Sequence, residues 1–323
     1  MPLLNDKTRI LLKLFVPQRR TPNPQHAIPE GDKNLQGKTI VFTGGTDGIG
    51  RVAVEILCSM GANIVLLARN KAKAEAVIES IKAGHTQGSI NLQICDLASM
   101  DSVKACTERI LSEYPKIDIL VNNAGINMTK PVITNDNFET NWAINYFGPR
   151  LLTELLLDRI KASAPARIVN LTTNTEFIPE IDFDYIQASA NFDTDESYVE
   201  SKLTMNMFTV DLAKQLQGSG VTANSLCPGH IRSNLLSHLE GAEKVMSYVM
   251  HFMASPTLVG ADRIVRLAIS SEFDDVTGVY VCEDNLKPHH QETQQPEKRT
   301  QAQQMTAKAL SSWLPENEAK TGQ

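Results

Sequence analysis

The chain has 323 residues, with 31 basic and 37 acidic residues giving a formal net charge of −6. That length buries a large core with ease, and the well-mixed charges supply no basic face for nucleic acid. Five cysteines (Cys58, Cys95, Cys106, Cys227, Cys282) are scattered without any Cys-x-x-Cys, so they read as small buried hydrophobes in a reducing compartment, and the seven histidines form no metal-ligand set.

Residues 1–36 read as an extension ahead of the domain, with Pro17, Pro22, Pro24 and Pro29 among polar residues. Within it, the apolar patch 10–16 is flanked by Lys7, Arg9, Lys13, Arg19 and Arg20. A flexible tail is one reading, and a peripheral membrane or partner contact through residues 7–20 is the other. No apolar run approaches the roughly 18–20 residues that span a bilayer, and the segment lacks the shape of a secretory signal. The expected location is cytoplasmic, with membrane association as the alternative.

The ordered part begins near Leu35. A strand is expected over 38–42, then the turn Thr43-Gly44-Gly45-Thr46-Asp47-Gly48-Ile49-Gly50, then a helix over 51–60. Strands follow at 63–68, 90–94, 117–121, 167–171 and 221–226, separated by helices at 71–83, 101–114, 135–160 and 198–217. A Leu- and Met-rich segment, a helix over 256–270 and a seventh strand at 278–282 come next. The stretch 283–299 looks exposed, and 302–314 suits a last helix. Apolar strands alternating with amphipathic helices predict an α/β fold, a mostly parallel sheet covered on both faces. Ligands of such sheets bind beyond the C-terminal strand ends, where the glycine turn, Arg69-Asn70, Asp96, Asn123-Ala124-Gly125, Thr172-Thr173 and Pro228-Gly229 all fall.

Two of these features carry chemistry. Gly44, Gly48 and Gly50 let backbone approach a pyrophosphate at a helix N-terminus, although the G-x-x-x-G-x-G spacing differs from the usual G-x-G-x-x-G. Tyr198 and Lys202 lie one helical turn apart on one face, where an ammonium would favour a phenolate for proton transfer.

Together and in this order, the turn Thr43 to Gly50, Asn122-Asn123-Ala124-Gly125, Tyr198 with Lys202, and Pro228-Gly229 resemble the short-chain dehydrogenase/reductase family over residues 37–282. The runs 167–173, 201–208 and 218–225 are closest in flavour to its retinol dehydrogenase-like branch. The resemblance implies a single three-layer, doubly wound Rossmann domain over 37–282 with a seven-stranded, mostly parallel sheet. It also implies a substrate loop at about 229–255 and a polar C-terminal segment 283–323. Tyr198 would exchange a proton with the substrate oxygen, Lys202 would hold the cofactor ribose and lower the tyrosine pKa, and Asn145 would support a water path to the lysine. Thr173 stands where the family has serine; its methyl restricts the rotamer and crowds the site. Pro149-Arg150 departs from the family's usual helix residues and would kink the helix.

Cofactor contacts are implied for Gly44, Thr46, Asp47, Gly48, Ile49, Gly50, Arg69, Asn70, Asp96, Leu97, Asn123, Ala124, Gly125, Tyr198, Lys202, Pro228, Gly229 and Ile231. Arg69, at the end of the second strand where an acidic residue would select NAD(H), favours NADP(H), with NAD(H) left open. The Leu- and Met-rich loop suits a lipophilic aldehyde, ketone or alcohol, as in a carbonyl reductase or retinol dehydrogenase-like enzyme, and core packing or a subunit contact explains it equally well. His230 and Arg232, beside the nicotinamide position, would meet a polar substrate group. One rival reading, resting on Thr173 and Pro149-Arg150, is a catalytically silent NADP(H)-binding protein. A sugar-nucleotide epimerase or dehydratase is a weaker one, because no sizeable C-terminal substrate domain is seen. Monomer and homodimer both stay open.

Overall fold

The structure, a computed structural model, describes residues 18–84, 86–128, 130–174, 181, 183, 194–232 and 254–314. The apolar patch 10–16 and the Leu- and Met-rich part of the substrate loop lie outside the described residues.

Strand β1 (Thr39–Thr43) leads through the glycine turn into α1 (Gly48–Ser59). Asp47 caps that helix by accepting the Gly48 N–H at 2.8 Å, and Ala53, Val54, Leu57 and Cys58 form its buried stripe. The pattern repeats through β2 (Asn63–Ala68), α2 (Lys71–Lys82), β3 (Ser89–Ile94), α3 (Met100–Glu113) and β4 (Ile119–Asn122). After it come α4 (Gly148–Ala162), β5 (Ala166–Leu171), α5 (Thr194–Gln215), β6 (Val221–Cys227), α6 (Thr257–Ile269) and β7 (Tyr280–Cys282). With β8 (Asn285–Lys287), the sheet order is β3-β2-β1-β4-β5-β6-β7-β8, every pair parallel except the last. Strand order reverses between β1 and β4, which opens a cleft above their C-terminal ends.

The sheet thus has the expected doubly wound form with one strand more than the seven expected. The short β8 (Asn285–Lys287) folds back on β7 through Glu283, whose φ of 58° supplies the left-handed turn that a tight hairpin needs. The sequence reading missed it because this stretch is polar and its strand is fully exposed.

Alternate strand residues face opposite layers. Val41 joins the core beneath α3, α4 and α5, whereas Ile40 and Phe42 join the core beneath α1 and α6. Residues of the N-terminal segment take part: Ile28 and Leu35 are buried in the second core, and Asp32 accepts the Ser271 N–H at 2.7 Å. The C-terminal helix α7 (Pro296–Ala309) lies on α5, with the Thr306 and Tyr146 hydroxyls 2.6 Å apart and Trp313 donating to Asp101 at 2.7 Å. Cover from both sides explains why α5 is buried nearly all round between Ser197 and Thr209.

The helix expected over 135–160 is broken into three pieces. A short helical turn (Thr140–Trp142) passes into a π-helix (Ala143–Phe147) and then into α4. Pro149 has no N–H for the Asn145 carbonyl, and the Gly148 N–H bonds one residue further back, to the Ala143 carbonyl. The proline kink is therefore taken up as a wide turn centred on Asn145. Arg150 then lies with its guanidinium 4.0 Å from the Phe208 ring centroid and pairs with Glu154, which fastens α4 to α5.

Candidate active site

The glycine turn is shaped by close contact. A Cβ on Gly50 would come within 2.3 Å of the Gly44 carbonyl oxygen, and one on Gly44 within 2.7 Å of the Ala124 Cα. Gly48, at φ 52°, has open space where a Cβ would sit, so the backbone here can receive a ligand closely. Asn123 braces the turn from β4, its amide donating to the Thr43 and Gly44 carbonyls at 3.0 Å each, and Ala124 N–H donates to Thr43 Oγ1 at 3.0 Å. Thr46 is half-buried beside them. Ile49 leans on α6 and meets Ile231 there: a Cβ on Gly260 would lie 2.7 Å from Ile49 and 3.0 Å from Ile231.

At the tip of β2 the side chains divide. Asn70 caps α2 by accepting Lys73 N–H at 2.9 Å, while Lys73 reaches Asp47 at 2.6 Å. Arg69 is exposed and forms no hydrogen bond or ion pair with a described residue. Its guanidinium is open for a ligand anion. Asp96, at the tip of β3, turns its own loop by accepting the Ala98 N–H at 3.0 Å. Leu97 is buried, with its carbonyl against Gly148, where a Cβ would come within 2.5 Å.

The proposed reacting groups meet at the head of α5. The Tyr198 hydroxyl lies near the Thr173 side chain across the top of β5. Burial dominates its acidity and pushes the pKa up to about 12, with the Thr173 side chain pulling the other way. Lys202 donates to the Leu171 carbonyl at 3.1 Å, and burial draws its pKa down to about 8. Its ammonium passes so close to Gly125 that a Cβ there would lie 3.0 Å from Nζ. Asn145 stands beside it, but its amide is fully engaged. Oδ1 accepts Ile126 N–H at 2.9 Å, and Nδ2 donates to the Ile126 carbonyl at 3.0 Å and to Ser201 at 3.1 Å. The side chain therefore ties the 125–127 loop to α5.

A family model for short chain dehydrogenases matches residues 38–244. The chain belongs to this family. Among curated short-chain dehydrogenase relatives, human retinol dehydrogenase 13 is 36% identical over 259 residues, 78% of each chain. Human polyprenol dehydrogenase is 32% identical over 251 residues, 76% of each chain. The solved L-sorbose reductase of Gluconobacter frateurii, complexed with NADPH and L-sorbose, superposes with a TM-score of 0.63 at 22% identity. That match covers 78% of this chain and 97% of the reductase, and it speaks for the fold. The chain is thus an oxidoreductase of the alcohol/carbonyl-acting type, with retinol dehydrogenase-like relatives.

Three residues that brace these groups escaped the sequence reading. Tyr280 of β7 donates its hydroxyl to the Thr173 carbonyl at 2.9 Å. Glu139 is fully buried; its Oε2 accepts Asn141 N–H at 2.9 Å and the Ser197 hydroxyl at 2.7 Å, one residue before Tyr198. Arg263 of α6 donates to the Pro228 carbonyl at 2.7 Å and forks onto Asp284 at 2.9 and 3.1 Å, fixing the turn at Pro228-Gly229. Burial pushes the Asp284 carboxyl up, and the Arg263 fork, together with the charges of Arg19 and His26, more than offsets it. Only Arg263 left a legible signal, a charge among the apolar residues Gly260, Ala261, Ile264, Leu267 and Ala268 of a helix face.

Proposed function

We propose that the chain transfers hydride between NADP(H) and a lipophilic alcohol or carbonyl compound, with Tyr198 as general acid and base. The observation that carries the reading is the buried Lys202 ammonium, held on the Leu171 carbonyl one helical turn behind Tyr198, with the Thr173 side chain near the phenol. A dinucleotide fits the residues present: the open backbone at Gly48, the α1 N-terminus and Arg69, which pairs with no described residue, would line one edge of the cleft. When bound, the nicotinamide supplies or accepts the hydride. The Thr173 hydroxyl orients the substrate oxygen and Tyr198 moves the proton, while Lys202 supplies positive charge behind the phenol. A phenol whose pKa is pushed up to about 12 is fully protonated at neutral pH, which suits protonation of a carbonyl oxygen during reduction. A lipophilic substrate is supported by the retinol and polyprenol dehydrogenase relatives, and NADP(H) by Arg69.

Purified protein is expected to oxidise NADPH in the presence of a hydrophobic aldehyde or ketone from a carbonyl panel. Tyr198→Phe should lower kcat by about 10³-fold or more with NADPH binding unchanged; a variant that kept its rate would sink the mechanism. Arg69→Ala should raise the KM for NADPH about tenfold and leave that for NADH unaltered. Equal losses with both cofactors would remove Arg69 from the choice. NADPH binding without turnover across the panel would instead favour the silent nucleotide-binding protein.

A further inference from the structure

Two thiols sit together at the rim of the cleft and take no part in the proposed proton transfer. Cys227 ends β6 and Cys282 ends β7, and the two are direct partners in the parallel register Ser225↔Tyr280, Leu226↔Val281, Cys227↔Cys282. Residues paired across neighbouring strands lie about 4.8 Å apart at Cα and point to the same face. That separation falls inside the roughly 4.4–6.8 Å that a disulfide bridges. The two thiols are close enough for each to shift the acidity of the other.

Their surroundings divide the work between them. Cys227 is buried, 3% exposed, and its sulfur accepts the Gly229 N–H at 3.4 Å. Cys282 is half-exposed, so a small molecule can reach it. The Cys227 thiol beside it chiefly draws Cys282 down to about 7; burial opposes this, the Tyr280 hydroxyl assists, Glu283 opposes and Lys287 assists. The Cys227 thiol is correspondingly raised. This is the division of a reactive thiol and a resolving thiol. A second pair of neighbouring thiols, Cys95 and Cys106, serves as a contrast within the same chain: both residues are buried in the core, 3% and 0% exposed.

We propose that Cys227 and Cys282 form a redox-responsive dithiol at the edge of the active site, which a low-molecular-weight disulfide of the glutathione type oxidises to an intramolecular disulfide. In the first step the Cys282 thiolate attacks one sulfur of the small disulfide, forming a mixed disulfide and releasing one small thiolate, which takes up a proton. Cys227 then loses its proton and attacks the Cys282 sulfur, releasing the second small thiol. Two protein thiols are oxidised, one small disulfide is reduced to two small thiols, and no other co-reactant enters. The consequence reaches the site by two routes. Cys227 carries the hydrogen bond of the Gly229 N–H, and Tyr280, which holds the Thr173 carbonyl, stands two residues before Cys282 on the same face of β7. Closing the bridge moves both supports, so oxidation should lower turnover. This last effect rests on the reading of the site as a reductase, whereas the bridge itself does not.

The test incubates the full-length protein with oxidised glutathione, blocks remaining thiols, and maps peptides without reduction. The expected product is a peptide pair joined through Cys227 and Cys282, with Cys58, Cys95 and Cys106 still free, and reversal by reduced thiol. Cys227→Ser should trap glutathione on Cys282, and Cys282→Ser should yield neither product. Absence of the joined peptide in the wild type, or oxidation at Cys95–Cys106 in its place, would overturn the proposal, and this arm decides even if a serine variant does not fold. Because the readout is covalent, it stands whether or not a carbonyl substrate is found; a bridge that forms with no change in turnover would overturn only the coupling to the site.

Discussion

Lys202 is the residue whose chemistry and stability pull in opposite directions. Its amine is lowered from an ordinary 10.5 to about 8 by burial, so the folded state binds fewer protons than the unfolded chain between those values. Stability therefore rises with pH across this window, and below it the folded protein carries the full penalty of a buried ammonium. Lys202→Met should accordingly stabilise the protein at pH 7, by up to about 3 kcal/mol, while abolishing the proposed activity. The gain should shrink as the pH is raised from 8 towards 10. Thermal unfolding of both proteins at matched pH measures it, and a variant destabilised equally at every pH would mean that the Leu171 carbonyl bond outweighs the burial. The pairing of Tyr198 with Lys202 was legible in the sequence, but its expected result was not. Helical spacing places two side chains on one face, whereas the acidity of each depends on burial that only the β5 and β6 neighbours supply.

Between elements, alignment of the proposed acid rests on α5 being held at its N-terminal end. The Glu139 carboxyl joins the short helix before the π-turn to Ser197, and burial raises its pKa against the hydrogen bonds that lower it. Three donors share its Oε2, which a glutamine oxygen can also serve. Glu139→Ala strands those donors in the core and should cost about 2 kcal/mol with a loss of kcat, whereas Glu139→Gln should keep most of both. Denaturant unfolding with parallel kinetics checks the pair; equal damage from both would make the negative charge, not the hydrogen bonds, the working feature. The strands and most helices could be read from alternation of apolar residues, because each has a single buried stripe or an apolar run of strand length. The π-turn could not. Pro149 announces that a kink must occur, but its form depends on Gly148 bonding back to Ala143 and on Leu97 pressing against Gly148, a contact from a distant loop.

Across the whole molecule, the helix that carries Tyr198 and Lys202 is a central element, enclosed by the sheet on one side and by the C-terminal segment on the other. His289 reaches the Gly278 carbonyl at 2.7 Å and Asn206 on α5 at 3.1 Å, Arg299 reaches Asp211 at 2.8 Å, and Thr306 meets Tyr146. The polar character of 283–299 suggested an exposed tail, since the sequence shows charges but not their partners. Glu292 is 2% exposed, Thr293 1% and Arg299 7%, so these polar residues are seated inside the fold. Asp211 is the anchor most open to test because it receives both Arg299 and Gln303, each at 2.8 Å. Asp211→Ala would leave the buried Arg299 guanidinium without its carboxylate, and an uncompensated buried charge costs about 3 kcal/mol or more. Thermal unfolding should show a fall of several degrees. Because Asp211 lies more than two turns beyond Lys202 on the same helix, the KM for NADPH should change little at temperatures where the variant is folded. A loss of NADPH binding with unchanged thermal stability would instead mean that the C-terminal segment acts on the cleft directly and not through the packing of α5.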